Sequence, residues 1–295
     1  MLKPLLTAVL LLGSVTPVLA GEAINERRPL NADATLSVKN LAGVIEVQAW
    51  ARNEIQLSGW LGQDAEQLEI SGDAKRLSIE ARYPRKLRGS VEDTELRLQV
   101  PAGVTLQLEA VSADIRVSGV RGPIAASSVS GDVQMDVTSQ HVTASTVSGN
   151  LKLRAPSAQT RLASISGDLE ASGGVGTLSA ETVSGELQIS GGPYREVKIE
   201  SVSGDLSLGL SLEEGATLSA ETLSGDIEVR LPTLPNAKLT MKTFSGDLRN
   251  GFVAAPAAAD ADDKRHLEMP LGNGKGSIRL NSFSGDIQLD RANRR

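Results

Sequence analysis

One short phrase recurs along the last two-thirds of this chain, and its spacing restricts the fold more than any other feature. Ser-Gly-Asp, or a close variant, stands between aliphatic or Phe residues and is centred on Gly131, Gly149, Gly167, Gly185, Gly204, Gly225, Gly246 and Gly285. Ala113 holds the Gly place in an earlier, weaker copy. The interval is 18 residues as far as Gly185, then 19, 21, 21 and 39. A period near twenty residues marks a stacked repeat, and the unit is too short for a pair of helices. Each copy carries a second strand-like run upstream, such as Val197 and Ile199 before Val202, with Gly, Pro, Ser and Ala between the runs. A rung therefore reads as two short strands and two turns. The 29 glycines and the β-branched enrichment argue against helix.

Side chains alternate between faces along a strand, and this predicts which columns face the inside. In Thr146-Val-Ser-Gly-Asn-Leu-Lys-Leu153, alternation groups Val147, Leu151 and Leu153, and sets Thr146, Ser148, Asn150 and Lys152 on the opposite face. Two interior apolar columns follow. One is Val129, Val147, Ile165, Val183, Val202, Leu223, Phe244 and Phe283, and the other Val133, Leu151, Leu169, Leu187, Leu206, Ile227, Leu248 and Ile287. Stacked about 4.8 Å apart, such columns form aliphatic ladders that only neighbouring rungs can complete. The repeated Gly suits a bend, by positive φ or by close backbone approach, and the following Asp suits a turn that it caps itself.

The chain is thus expected to be all-β: a single-stranded β-solenoid (β-helix) of about ten rungs with 18–21-residue repeats. Residues 21–109 read as a strand-rich N-terminal cap with degenerate rungs, in which Asn40 to Val47 forms a weak copy of the phrase. Residues 110–290 form the regular solenoid. Within it, 251–276 read as an inserted loop, because the 39-residue interval is two rungs long and contains an Ala/Asp-rich stretch. Residues 291–295 form a basic tail.

Residues 1–20 have the pattern of a signal peptide: Lys3, an apolar run from Leu5 to Leu12, and Val18-Leu19-Ala20 as a small-residue cleavage site. The expected location is extracytoplasmic, in the periplasm or secreted to the cell surface, after cleavage near Ala20. The apolar run is too short to span a membrane, so no membrane span is expected. With no Cys, the fold has no disulfide framework. The net charge is −6, with both signs interspersed and no basic stripe beside aromatics, which excludes a nucleic-acid interface. Aromatics are few (two Trp, two Tyr, three Phe), which counts against a sugar-stacking cleft.

The signal pattern, the irregular strand-rich lead-in and the serial units, from Ser130-Gly131-Asp132 to Ser284-Gly285-Asp286, together resemble the bacterial putative-adhesin family. That resemblance covers roughly residues 36–290. It implies an extracytoplasmic β-solenoid domain of unknown function and brings with it no catalytic or binding residues.

Three motifs carry possible chemistry. An acidic column, Asp114, Asp132, Asp168, Asp205, Asp226, Asp247 and Asp286, with Asn150 and Glu186 in the same place, raises the alternative of a calcium-stabilised structural solenoid. Calcium needs 6–8 converging oxygens, however, and one acid per rung without a Gly-Gly-x-Gly-x-Asp nonapeptide favours carboxylates bonded to their own turns. A Ser/Thr column, Ser128, Thr146, Ser164, Thr182, Ser201, Thr222, Thr243 and Ser282, is expected on the outside as a hydroxyl ladder. A polysaccharide-active β-helix enzyme is the other alternative. It would need a cluster such as Asp132, Arg154 and Asp168, and the only histidines, His141 and His266, lie outside any nucleophile context. No catalytic, metal or cofactor-binding residue is assigned, and no cofactor is expected. The expected function is non-catalytic: an adhesin-like binding or scaffold protein of the bacterial cell envelope, whose partner is an envelope polymer or protein.

Overall fold

The computed structural model describes residues 18–19, 21–85, 89, 91–252 and 265–292. The signal pattern, apart from Val18 and Leu19, lies outside the described residues, as do 253–264 and the tail beyond Ala292. The N-terminal part contains β1 (Val18–Leu19), β2 (Ala23–Pro29), β3 (Thr35–Trp50), β4 (Glu54–Trp60), β5 (Gln67–Gly72), β6 (Arg76–Arg82) and β7 (Thr94–Pro101). The repeats supply β8 (Thr105–Ser118), β9 (Ile124–Ser128), β10 (Val133–Asp136), β11 (His141–Thr146), β12 (Leu151–Arg154), β13 (Gln159–Ser166), β14 (Leu169–Ser184), β15 (Leu187–Ser203), β16 (Leu206–Ser224) and β17 (Ile227–Leu231). The C-terminal part adds β18 (Ala237–Ser245), β19 (Leu248–Asn250), β20 (His266–Leu271), β21 (Gly276–Ser284) and β22 (Ile287–Arg291).

The molecule is a β-solenoid. Each rung has one segment before the Gly corner and one after it, and both pair in parallel with the next rung. Thus β11 pairs with β13 (Val142↔Thr160) and β12 with β14 (Leu151↔Leu169), and Leu169 pairs in turn with Leu187. The after-corner column is the interior ladder that alternation predicts: Val133, Leu151, Leu169, Leu187, Leu206, Ile227 and Ile287 are each at most 1% exposed, and only Leu248, in the outermost C-terminal rung, is partly buried. Opposite them, Val142, Leu162, Leu178, Val197 and Leu218 close the interior from the before-corner wall. Each such side chain contributes roughly 1.5–3 kcal/mol of burial, so neighbouring rungs hold one another in place.

Rungs do not follow chain order at either end. Near the N-terminus, β3 lies between β6 with β7 on one side and β8 on the other, so β6 and β7 form the outermost parallel rung. At the C-terminus the last rung, β21 and β22, lies between the rung of β16 and β17 and that of β18 and β19. Both ends are then covered by antiparallel strands, β5 on β6, β4 on β7 and β20 on β18. These strands occupy backbone edges that would otherwise template the addition of another chain. The segment 251–276 is therefore not simply a loop: His266–Leu271 is a strand that caps the outermost rung. His266, expected in a loop, is accordingly the first residue of β20.

The glycine column is explained by close approach between rungs. A Cβ built on Gly149 would lie 2.1 Å from the Gly131 carbonyl oxygen, and one on Gly167 2.1 Å from that of Gly149. The same contact links Gly285 to Gly225 and Gly246 to Gly285, which independently traces the displaced rung order. Positive φ is a second reason only from Gly185 onward, where it lies between 127° and 151°.

Candidate functional site: an outward apolar ridge beside an acidic ladder

The corner breaks the alternation on which one expected interior column rests. Thr146 is buried, Val147 and Ser148 both point outward, Asn150 points outward, and Leu151 is buried again. Two successive outward residues are possible because the Gly side-chain direction runs along the stack into the preceding rung, neither in nor out. The phase before the corner is thereby shifted by one residue.

The expected interior column from Val129 to Phe283 is therefore a correction: all of it lies outside. Exposure runs from 37% at Val147 to 63% at Phe244, with Val111 at 43% opening the series. In stack order the ridge reads Val111, Val129, Val147, Ile165, Val183, Val202, Leu223, Phe283, Phe244. The two Phe rings, 39 residues apart in sequence, stack with centroids 4.8 Å apart and planes 7° from parallel. The ridge covers nine rungs, about 38 Å at the rung spacing.

The Ser/Thr column is the matching correction, because it faces inward. Ser128, Thr146, Ser164, Thr182, Thr222, Thr243 and Ser282 are all buried. A buried hydroxyl needs a partner, and here it ties off the corner. Gly131 and Gly149 donate their backbone N–H groups to Ser128 Oγ (2.9 Å) and Thr146 Oγ1 (3.0 Å). In others the hydroxyl donates to a corner carbonyl, as Ser164 Oγ does to Gly167 (3.1 Å) and Ser282 Oγ to Gly225 (3.2 Å), whereas Ser201, half-buried in the same column, leaves its Oγ without a partner.

The acidic column lies outside, three residues after the ridge, but it does not cap its own turns. Except at Glu186 and Asp247, a side-chain oxygen of the column accepts from the backbone of the next rung, beginning with Asp114 Oδ1 and the Asp132 N–H (3.1 Å). The backbone N–H of Asn150 donates to Asp132 Oδ1 (2.8 Å), that of Asp168 to Asn150 Oδ1 (3.0 Å), and that of Glu186 to Asp168 Oδ1 (2.9 Å). The series breaks at Glu186 and resumes with Asp226 on Asp205 (2.9 Å), Asp286 on Asp226 (2.8 Å) and Asp247 on Asp286 (2.8 Å). The ladder needs an acceptor, not a charge, since Asn150 serves as well as its neighbours. Two carboxylates one rung apart repel by about 0.9 kcal/mol in water, so the fold carries a charge it does not require.

On the other flank, two residues before the ridge, Glu181, Glu200 and Glu221 stand in register. Lys198 reaches Glu200 at 2.8 Å, and this bond, with the fields of Glu181 and Glu221, raises the lysine above its ordinary pKa. Around Val183, Val202 and Leu223 the ridge is thus acidic on both sides.

The other sequence candidates do not converge. Asp132 and Asp168 are two rungs apart, about 10 Å, and Arg154 lies about 13 Å along its strand from Asn150. His141, exposed at the start of β11, lines a shallow groove with Arg161 and Thr177. Among the described residues no three His, Cys, Asp or Glu side chains gather to hold a metal. The ridge itself escaped sequence reasoning, although one signal was present. An interior column must conserve volume, whereas this one grows from Val to Leu to Phe along the stack.

Stacked parallel rungs with outward-facing columns define an all-β repeat protein of the solenoid class. The family model for Toastrack DUF4097 matches residues 45–290, and the chain belongs to that family. No curated protein matches it. Among solved structures, a putative cell adhesion protein from Clostridium sporogenes ATCC 15579 is similar at 12% identity and TM-score 0.21, over 92% of this chain and 100% of the other. A putative adhesin from Parabacteroides distasonis ATCC 8503 is similar at 15% identity and TM-score 0.37, over 92% and 98%.

Proposed function

We propose that the protein is a non-catalytic, extracytoplasmic binding or scaffold protein of the bacterial cell envelope, engaging its partner along the side of the solenoid. The observation that carries this reading is the ridge: nine apolar side chains in one unbroken exposed column, with no role in the interior. Contiguous exposed apolar surface of this kind marks interaction sites, whereas scattered exposed residues do not. A long periodic surface binds through many weak contacts, which offsets the scarcity of aromatic anchors. The location rests on the signal pattern of residues 1–20. No described helix is long and apolar enough to cross a membrane.

The test is retention of envelope fractions on immobilised residues 21–295, run beside the triple variant Val183→Ser/Val202→Ser/Leu223→Ser and a glycan turnover panel. Retention of a defined envelope component that the ridge variant loses supports the proposal. Turnover of any glycan would favour the polysaccharide-active alternative, and retention indifferent to the ridge would overturn this one. A thermal scan with and without chelator separates the calcium-stabilised alternative.

A further inference from the structure

We propose that the ridge is the docking surface for a basic amphipathic helix of a partner protein, its apolar stripe on Val183, Val202 and Leu223 and its Lys or Arg residues over the acidic flanks. The inference rests on the binding reading above and gives that partner a chemistry.

Two independent observations point to it. The first is the exposed ridge, which requires an apolar complement. The second is charge that the fold does not need. Asn150 shows that an amide oxygen maintains the inter-rung ladder (Asp168 N–H to Asn150 Oδ1, 3.0 Å), yet its neighbours are carboxylates that repel one another. Glu181, Glu200 and Glu221 place further acids on the opposite side of the same three ridge residues. The structure already contains one instance of the matching interaction, the Lys198 ammonium held among these glutamates, 2.8 Å from Glu200.

Geometry favours a helix over a strand. A helix laid along the ridge repeats every 5.4 Å, close to the ~4.8 Å rung spacing, whereas a strand presents a side chain to the ridge only every ~6.8 Å. Over four rungs the helical repeat drifts by only about 1.8 Å, within reach of flexible Leu and Lys side chains. A second copy of this chain fits less well. Turned antiparallel, so that the Phe end meets the Val end, it would bring acidic column against acidic column. An anionic membrane surface meets the same repulsion.

The experiment uses residues 21–295 and three labelled peptides of about 18 residues, ~27 Å as helices. One is an amphipathic Leu/Lys helix, one has every Lys replaced by Glu, and one keeps the composition with its stripe scrambled. Binding is followed by fluorescence anisotropy at low and high salt. The expected result is binding of the Leu/Lys helix alone, weakened by salt. Val183→Ser/Val202→Ser/Leu223→Ser should lower its affinity roughly tenfold or more. Asp168→Asn/Asp205→Asn/Asp226→Asn, which keeps the hydrogen-bond acceptors, should lower affinity and flatten the salt dependence. Equal binding of the Glu or scrambled peptide overturns the proposal, as does no binding of the Leu/Lys helix. A concentration-dependent dimer abolished by the ridge variant would assign the surface to a second copy and also overturn it. If the helix fails while ridge-dependent retention of an envelope component persists, the partner chemistry is wrong and the binding function stands. If both fail, both fall.

Discussion

Replacing Gly149 by Ala tests the physical basis of the repeat most directly. Its φ lies outside the left-handed region, so an added methyl group meets no torsional penalty. It meets the preceding rung instead, 2.1 Å from the Gly131 carbonyl oxygen and 2.6 Å from its carbon. Ordinary contact begins near 3.4 Å, so the rungs must part locally by more than an ångström. Such overpacking costs about 1–3 kcal/mol. Parting also loosens the inter-rung bonds from Ser148 N–H to the Val129 carbonyl (2.9 Å) and from Asn150 N–H to Asp132 Oδ1 (2.8 Å), each worth about 1 kcal/mol. The expected loss is therefore about 3–5 kcal/mol, or on the order of 10 °C in melting temperature for a chain of this size. Gly215 supplies the control, with φ at 78° and nothing within 4 Å of its virtual Cβ. Gly215→Ala should cost only the left-handed strain, about 1–2 kcal/mol. Urea denaturation followed by circular dichroism ranks the two. Were Gly149→Ala no worse than Gly215→Ala, close approach between rungs would not be the reason for the glycine column.

The remaining predictions use the same assay. Leu169→Asp puts an unpaired charge into the interior ladder and should cost several kcal/mol, about 3–5, whereas Val202→Ser on the ridge should stay within about 0.5 kcal/mol; equal shifts would return the ridge to the interior. Asp205→Asn should be neutral or slightly stabilising at low salt, because the amide still accepts from Asp226 N–H, while Asp205→Ala should cost about 1 kcal/mol. Tyr194 is buried, and burial pushes its phenol up to about 12. The neutral form is favoured in the fold, so this contribution is intact below the ordinary value near 10 and is lost as pH rises from there through 12. Melting between pH 9 and 12 should show that fall in the native protein and less of it in Tyr194→Phe; identical profiles would refute the assignment.

The after-corner ladder was legible because from Val133 to Ile287 each residue stands two places after its Gly, and no bend separates it from the strand it begins. The before-corner half was misread for a definite reason. From Thr146 to Leu151 the alternation assumes a straight strand, and a corner that spends one residue along the stack exchanges inside for outside upstream of it. The resulting error moved a Thr column out and a Val column in. The partners of the acidic column were hidden in a different way. An Asp beside a turn can cap that turn or reach the next rung, and both leave the same local sequence.

The period and composition by themselves determined that this chain stacks short parallel rungs, because no unit of about twenty residues with that much Gly can bury its apolar side chains alone. They also determined the interior column after each Gly. Only the tertiary structure decided which way the side chains before the corner point, since that depends on how tightly one rung sits on another. It alone decided the order of the rungs at both ends, where covering open backbone edges outweighs chain order and brings Phe283 beside Phe244. The ridge is a product of both decisions, and for that reason local periodicity could not reveal it.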